Sequence, residues 1–126
     1  MTQFSAVIIN YARPWNLPKI ISSLNDFGVS DVLVWDQSPL PELSAERFIS
    51  NGTVIVADTN VFTAGRYIAV QFADHDHILT VDDDYSVTKH GWERLADKYD
   101  GNRIAVQLPV AHGKYSQAMH GLAWTC

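Results

Sequence analysis

Short, uniformly apolar segments that alternate with helical patterns constrain the fold of this chain more than any other feature. Residues 4–10 (FSAVIIN) are mostly apolar and rich in β-branched side chains, which is typical of a strand buried on both faces of a parallel sheet. Residues 31–36 (DVLVWD) repeat this pattern. Two such strands joined by a helix form a right-handed βαβ unit.

The segment between these strands has the marks of a helix. Residues 17–28 carry apolar side chains at helical spacing. Asn16 is a candidate N-cap before this segment, and Gly28 is a candidate C-terminal stop. The sequence therefore predicts one helix with both of its ends defined.

Strand and helix patterns continue to alternate along the rest of the chain. Further strands are predicted at 53–58, 77–81 and 103–110, and helices at 43–49, 63–74 and 89–101. This order predicts one α/β domain over residues 1–126, with an open, mostly parallel, Rossmann-like sheet flanked by helices. A chain of 126 residues buries roughly two-thirds of its unfolded surface, which is enough for one core.

Charge and composition exclude several classes of protein. Nine Lys and Arg against 14 Asp and Glu give a net charge of −5, which argues against a nonspecific nucleic-acid surface. No segment has the roughly 18–20 apolar residues that a transmembrane helix needs, so we expect a soluble, cytoplasmic protein. The single cysteine, Cys126, excludes an internal disulfide framework and fits either a reducing compartment or a protein that is indifferent to redox conditions.

Three consecutive aspartates, Asp82, Asp83 and Asp84, follow the apolar strand predicted at 77–81. Adjacent carboxylates repel one another, and each costs free energy to desolvate unless a cation or hydrogen-bond donors compensate. In an extended chain Asp82 and Asp84 project to one side and Asp83 to the other. Two carboxylates on one side suit Mg²⁺ or Mn²⁺, with substrate phosphates and waters completing the shell. A solvated acidic turn is the alternative interpretation.

Polar segments follow three of the predicted strands. They read NYARP (10–14), WDQSP (35–39) and DDDYS (82–86). Ligands of open α/β sheets bind at the carboxyl ends of the strands. We therefore expect these three segments to converge on one cleft.

Four segments, taken in order, resemble the nucleotide-diphospho-sugar transferases of GT-A fold, of the family 2 type. They are AVIINYARPWNLPKIISSL, VLVWDQSP, TAGRYIAVQFAD and HILTVDDDYSV, within residues 5 to about 87. Residues 103–115 are similar to the exostosin type. The resemblance implies a metal-dependent, hexosyltransferase-type glycosyltransferase that uses Mn²⁺ or Mg²⁺. The implied donor is a nucleotide sugar, with UDP-sugar favoured, and the acceptor is an unknown saccharide or other hydroxyl compound.

The resemblance also assigns nucleotide-binding roles. Asp36 would accept a hydrogen bond from the imide N–H of the base. Asn10, Tyr11 and Arg13 would line the base pocket, and Arg66 would contact the base or the diphosphate.

The aspartates take the remaining roles in this scheme. Asp82 would hold the ribose and contribute to the metal site, Asp84 would bind the metal, and Asp83 would face the donor sugar. His112 would complete the metal shell, with His120 as its rival, and a free surface histidine is the alternative interpretation of either one.

Each role has a plainer alternative. Asp36 could cap the loop that follows it. Arg13 could be an exposed loop residue, and Arg66 could be solvated or paired with Asp58. The tryptophans at 15, 35, 92 and 124 are more often core or interface residues than sugar platforms.

The predicted mechanism lacks one component. An inverting transferase needs a general base, and the resemblance implies an acidic residue well downstream of the three aspartates for this role. The last acidic residue of the sequence is Asp100. Three explanations remain open: a retaining enzyme, a short domain whose acceptor half comes from another chain such as a second copy, or a donor hydrolase. A noncatalytic nucleotide-sugar binding module is the alternative outside enzymes.

Overall fold

The computed structural model of the protein describes residues 3–84 and 87–101. The chain forms two compact units, Met1–Val87 and Thr88–Cys126. The prediction of a single domain stays a prediction. The strand expected at 103–110 and both candidate metal-binding histidines, His112 and His120, lie outside the described residues.

A four-stranded sheet forms the centre of the first unit. Its strands are β1 (Phe4–Asn10), β2 (Asp31–Asp36), β3 (Thr53–Val56) and β4 (His77–Asp82). They lie in the order β3-β2-β1-β4, and every neighbouring pair is parallel. This arrangement confirms the predicted α/β class and parallel sheet.

The pairing register brings the polar strand ends together. Asn10 is opposite Asp36, and Ile9 is opposite Asp82. The last residues of β1, β2 and β4 therefore lie along one side of the sheet, which we call the carboxyl edge. The sequence predicted this convergence because the carboxyl ends of parallel strands share one edge.

Helix α1 (Leu17–Asp26) packs through four buried residues, Leu17, Ile20, Ile21 and Leu24. Gly28 follows it with φ of 91°, so the predicted stop is confirmed. Asn16 occupies the predicted N-cap position, but its side chain makes no capping bond. A 3₁₀ turn over Pro14–Asn16 runs directly into the helix and places Asn16 in helical geometry already. Its side chain reaches the end of β4 instead.

The helix predicted at 63–74 is shorter and less regular than expected. Helix α2 spans only Gly65–Ala69, with 3₁₀ turns at Phe62–Ala64 and Val70–Phe72. Gly65 and Ala69 are its buried residues. The segment lies so close to the sheet that a Cβ on Gly65 would come within 2.3 Å of the Trp35 ring.

Other element boundaries also differ from the predictions. The helix expected at 43–49 is replaced by two 3₁₀ turns, Pro41–Leu43 and Ala45–Arg47. Ser44 between them is extended, with φ of −63° and ψ of 135°, and this breaks a continuous helix. Strand β3 ends at Val56, two residues earlier than predicted.

The second unit contains helix α3 (Lys89–Lys98) among its described residues. The Thr88 hydroxyl caps it by accepting from the Gly91 N–H at 3.0 Å. Across the described parts of both units, no helix is long and apolar enough to cross a membrane.

One face of the sheet is covered by the α2 segment. Val7, Leu33, Trp35 and Ala69 form a buried cluster there, and Ile55, Val61 and Val70 pack against it. Trp35 is therefore a core residue, whereas Trp15 is exposed. This packing positions the loop before α2 at the carboxyl edge.

Candidate functional site

The three aspartates lie where β4 ends at the carboxyl edge. The side chains of Asp82 and Asp84 are 62% and 53% exposed, whereas that of Asp83 is 9% exposed. Strand β4 ends at Asp82, and Asp83 and Asp84 lie in a turn, not in the extended chain that the prediction assumed. The expected alternation of exposure nevertheless holds across the triplet. It leaves two carboxylates open to solvent and buries the third.

Two arginines from different segments neutralise this acidic end. Arg13 Nη2 lies 3.2 Å from Asp83 Oδ1, and Arg13 Nη1 lies 3.4 Å from Asp84 Oδ2. Arg66 Nη2 lies 2.9 Å from Asp82 Oδ1. The partner of Arg66 is thus Asp82, where the sequence had suggested Asp58 as an alternative. The repulsion expected among adjacent carboxylates is compensated by two guanidinium groups.

Asp83 joins the end of β4 to the segment after β1. Burial raises the pKa of its carboxyl above the ordinary value of 3.8, while Arg13 and a hydrogen bond from the Tyr11 backbone N–H oppose this shift. Asn16 Nδ2 also donates to the Asp83 carbonyl oxygen at 2.8 Å. The buried aspartate therefore fixes the loop that carries Tyr11 and Arg13.

Asp36 braces the loop that follows β2. Its Oδ1 accepts from Asn10 Nδ2 at 2.9 Å and from the Ser38 N–H at 3.2 Å. Its Oδ2 accepts from the Ser44 hydroxyl and the Ala45 N–H, both at 3.1 Å. These four bonds correspond to the capping role that the sequence left open as an alternative. A contact from Asp36 to a base would require one of these donors to be displaced.

Asn10 is held in one orientation beside Asp36. Its Nδ2 also donates to the Leu43 carbonyl oxygen at 3.0 Å. Asn10 Oδ1 is buried and has no hydrogen-bond partner within the described residues. Such an acceptor is expected to find a water or a ligand donor.

Tyr11 and Arg13 lie on the segment that follows β1, beside these groups. The Tyr11 residue is 43% exposed, and the side chain of Arg13 is 51% exposed. Both side chains are therefore accessible at the carboxyl edge. The sequence predicted this location from their place immediately after a strand.

Gln37, which sequence reasoning missed, holds the loop before α2. Its Oε1 accepts from Trp35 Nε1 and from the Val61 N–H, and its Nε2 donates to the Phe62 carbonyl oxygen, each at 3.1 Å. A glutamine after a strand carries no pattern that would have revealed this role. Asn60 could have indicated a turn in this loop, since Asn favours turns. In the structure its Oδ1 accepts a hydrogen bond from the Phe62 N–H at 2.8 Å.

Comparison with known proteins identifies the family. The model of glycosyl transferase family 2 matches residues 5–122. The chain belongs to glycosyl transferase family 2. No curated protein and no solved structure gave a significant match to the chain.

Family membership gives the carboxyl edge a general chemical meaning. The parallel sheet and the match over residues 5–122 establish the GT-A type predicted from the sequence. The activity of a family 2 domain is glycosyl transfer from a nucleotide-sugar donor.

The aspartates fit a hard divalent cation. Asp82 and Asp84 offer exposed carboxylate oxygens, which are the ligand type that Mg²⁺ and Mn²⁺ prefer. Within residues 3–84 and 87–101, no group of three or more His, Cys, Asp or Glu side chains is arranged to hold a metal ion. Two protein carboxylates suit a cation whose remaining ligands are phosphate oxygens and waters.

Proposed function

We propose that this family 2 domain transfers a sugar from a UDP-sugar to a hydroxyl acceptor and depends on Mn²⁺ or Mg²⁺. The observation that carries the proposal is the pairing of exposed Asp82 and Asp84 with Arg66 and Arg13 at the carboxyl edge. Carboxylates for a cation and guanidinium groups for phosphates are thus placed side by side. A nucleotide diphosphate with its cation is the ligand that needs both.

Asp82 and Asp84 would hold the cation. When bound, the cation supplies positive charge that offsets the charge developing on the departing nucleoside diphosphate. His112 stays a candidate for a third protein ligand.

The arginines would change partners when the donor binds. Solvent-exposed ion pairs of this kind contribute only about 0–1 kcal/mol each, so the Asp82 and Asp84 pairs can be exchanged at little cost. A guanidinium binds phosphate oxygens through charge-assisted hydrogen bonds, often in bidentate geometry. Arg66 would thus turn from Asp82, and Arg13 from Asp84, to the diphosphate, while Arg13 would keep its contact with the buried Asp83.

The base would lie near Tyr11 and the Asn10–Asp36 pair. Support comes from the exposure of Tyr11 and from the buried acceptor Asn10 Oδ1 close to the loop after β2. A direct bond from Asp36 to the base imide stays a prediction, because both of its oxygens already accept two protein donors each. In this arrangement Asp36 shapes the base pocket by fixing its loop.

Asp83 would position the Tyr11–Arg13 segment. Its raised pKa follows from burial, and its carboxyl is engaged by Arg13 and by Tyr11 N–H. A retaining course of the reaction stays a prediction, and the anomeric configuration of the product would test it.

Calorimetric titration tests the proposal. UDP, GDP and several UDP-sugars are titrated with and without Mn²⁺ into the wild-type protein and the Asp84→Ala variant. Asp58→Ala serves as the matched control, because Asp58 is also exposed and lies outside the triplet. We expect the wild type to bind UDP only with Mn²⁺. Asp84→Ala should lose this binding, and Asp58→Ala should keep it.

Turnover separates the enzyme from its alternatives. The UDP-sugar that binds most tightly is incubated with candidate saccharide acceptors, and the release of UDP is followed. Acceptor-dependent release indicates a transferase, release that ignores the acceptor indicates a donor hydrolase, and tight binding without release indicates a binding module. Absence of nucleotide binding under every metal condition would overturn the proposal.

A further inference from the structure

One aromatic residue in the loop before α2 has a strained backbone. Phe62 has φ of 55°, and no other non-glycine residue within the described ranges has a positive φ. This left-handed region is unfavourable for a bulky L-residue. Strained residues of this kind cluster at ligand-binding sites, where the surrounding structure holds them in place.

The strain is not offset by burial of the ring. Phe62 is 74% exposed, so its side chain is not part of the core. Glycine would adopt the same backbone conformation without steric cost. The ring therefore adds little to the stability of the fold that would offset the cost of the strained backbone.

The surrounding structure holds the Phe62 backbone from both sides. The buried Gln37 donates to the Phe62 carbonyl oxygen at 3.1 Å, and Asn60 Oδ1 accepts from the Phe62 N–H at 2.8 Å. Gln37 is itself fixed by Trp35 Nε1 at 3.1 Å. Hydrogen bonds with the buried Gln37 and the exposed Asn60 thus fix the Phe62 backbone and keep its apolar ring exposed at a defined place.

That place is the carboxyl edge of the sheet. Gln37 immediately follows Asp36, the last residue of β2. Phe62 begins the helical segment that carries Arg66, and Arg66 contacts Asp82 at the end of β4. The ring is therefore anchored on the β2 side of the edge, next to the loop that Asp36 braces.

Resting on the proposed function, we propose that Phe62 is a stacking platform for the nucleobase of the donor. Every base has a π-face that can stack on an aromatic ring, and a phenylalanine ring has no hydrogen-bonding atoms with which to choose among bases. Phe62 would thus strengthen binding of the nucleoside without selecting the base. Stacking on Phe62 would not strengthen the binding of the diphosphate.

The test replaces the ring while relieving the strain. Phe62→Gly removes the aromatic face and permits the positive φ, so we expect its thermal stability to equal or exceed that of the wild type. UDP affinity measured with Mn²⁺ should fall about 5- to 100-fold, whereas pyrophosphate affinity should not change. Phe62→Tyr keeps an aromatic face and should retain UDP affinity.

Phe72→Ala is the matched control. Phe72 is also an exposed phenylalanine, at 57%, but it ends the helical segment that leads to the start of β4. We expect this variant to bind UDP like the wild type. In the wild-type complex with UDP and diamagnetic Mg²⁺, the uracil H5 and H6 resonances should shift upfield through the ring current, and Phe62→Gly should abolish that shift.

The outcomes distinguish this inference from the proposed function. If Phe62→Gly binds UDP as tightly as the wild type does, the stacking role of Phe62 is overturned and the proposed function is not. Contact with the acceptor sugar would then become the explanation for the exposed ring. Equal losses of UDP and pyrophosphate affinity would overturn it as well, since stacking concerns only the nucleoside. Wild-type protein that binds no UDP at all would overturn both.

Discussion

Arg66 Nη2 lies 2.9 Å from Asp82 Oδ1, and this contact joins helix α2 to the last residue of β4. The guanidinium group of Arg66 therefore occupies the position beside Asp82 where the proposed metal ion would bind. The side chain of Arg66 is 22% exposed, and its Nε is buried without a hydrogen-bond partner among the described residues. The residue is therefore held near the edge while its terminal nitrogens face the carboxylate.

Removal of Arg66 should affect the cation and the nucleotide in opposite directions. In Arg66→Ala, Mn²⁺ no longer competes with the guanidinium for Asp82, so Mn²⁺ affinity without nucleotide should rise by up to about 5-fold, the equivalent of an exposed ion pair. UDP affinity with Mn²⁺ should fall by about 10-fold or more through loss of a charge-assisted bond. Calorimetric titration measures both affinities.

Arg47→Ala is the control for this prediction, because Arg47 is an exposed arginine on a 3₁₀ turn away from the triplet. Neither affinity should change in it. If Arg66→Ala lost affinity for Mn²⁺ and UDP alike, the exchange of partners would be refuted.

Asp36→Asn should destabilise the fold. The amide would present an NH₂ group to donors that now face a carboxylate oxygen, and buried groups left unsatisfied cost about 1–3 kcal/mol each. We expect the free energy of unfolding in urea to fall by about 2–4 kcal/mol. Asp58→Asn, at an exposed position, should be close to neutral. A similar loss in both variants would argue against the brace.

Gly65→Ala should also destabilise the protein, because the added methyl group would lie 2.3 Å from the Trp35 ring atoms Cδ1 and Nε1. Overpacking of this kind costs about 1–3 kcal/mol. A double-mutant cycle with Trp35→Phe isolates the clash. The alanine should cost less in the Trp35→Phe background, and an equal cost in both would show that the steric account is wrong.

Asp83→Asn should gain stability relative to the wild type as pH rises. Burial raises the pKa of Asp83 in the folded state above its ordinary value of 3.8. The stabilisation that protonated Asp83 contributes is fully present below 3.8 and is lost as pH rises through the folded pKa. Asparagine mimics the neutral acid at every pH.

Urea unfolding of wild type and Asp83→Asn at several pH values between about 3 and 7 tests this linkage. The stability difference should shift in favour of Asp83→Asn across that range. A shift in favour of the wild type would mean that Arg13 and the Tyr11 N–H outweigh burial.

The sequence predicted those parts of the fold that local patterns control. Strand β2 has the predicted limits, and β1 the predicted segment, because uninterrupted β-branched and apolar runs are characteristic of buried parallel strands. The meeting of Asn10, Asp36 and Asp82 at one edge followed from parallel pairing alone. These features need no knowledge of distant contacts.

Tertiary contacts account for what the sequence did not reveal. Asn16 occupies its predicted N-cap position, but its side-chain amide does not cap the helix and donates instead to the Asp83 carbonyl oxygen, 67 residues away in sequence. In the sequence, Phe62 is indistinguishable from other apolar residues, because its positive φ depends on hydrogen bonds with Gln37 and Asn60. Long-range hydrogen bonds of this kind leave no periodic signal in a single sequence.

A crystal structure of the protein with UDP and Mn²⁺, with the metal located by its anomalous signal, tests the central claim most directly. The account predicts Mn²⁺ between the diphosphate and the carboxylates of Asp82 and Asp84, with Arg13 and Arg66 turned from those aspartates to phosphate oxygens. Mn²⁺ and UDP bound elsewhere, or both arginines still paired with Asp82 and Asp84 in the complex, would contradict it.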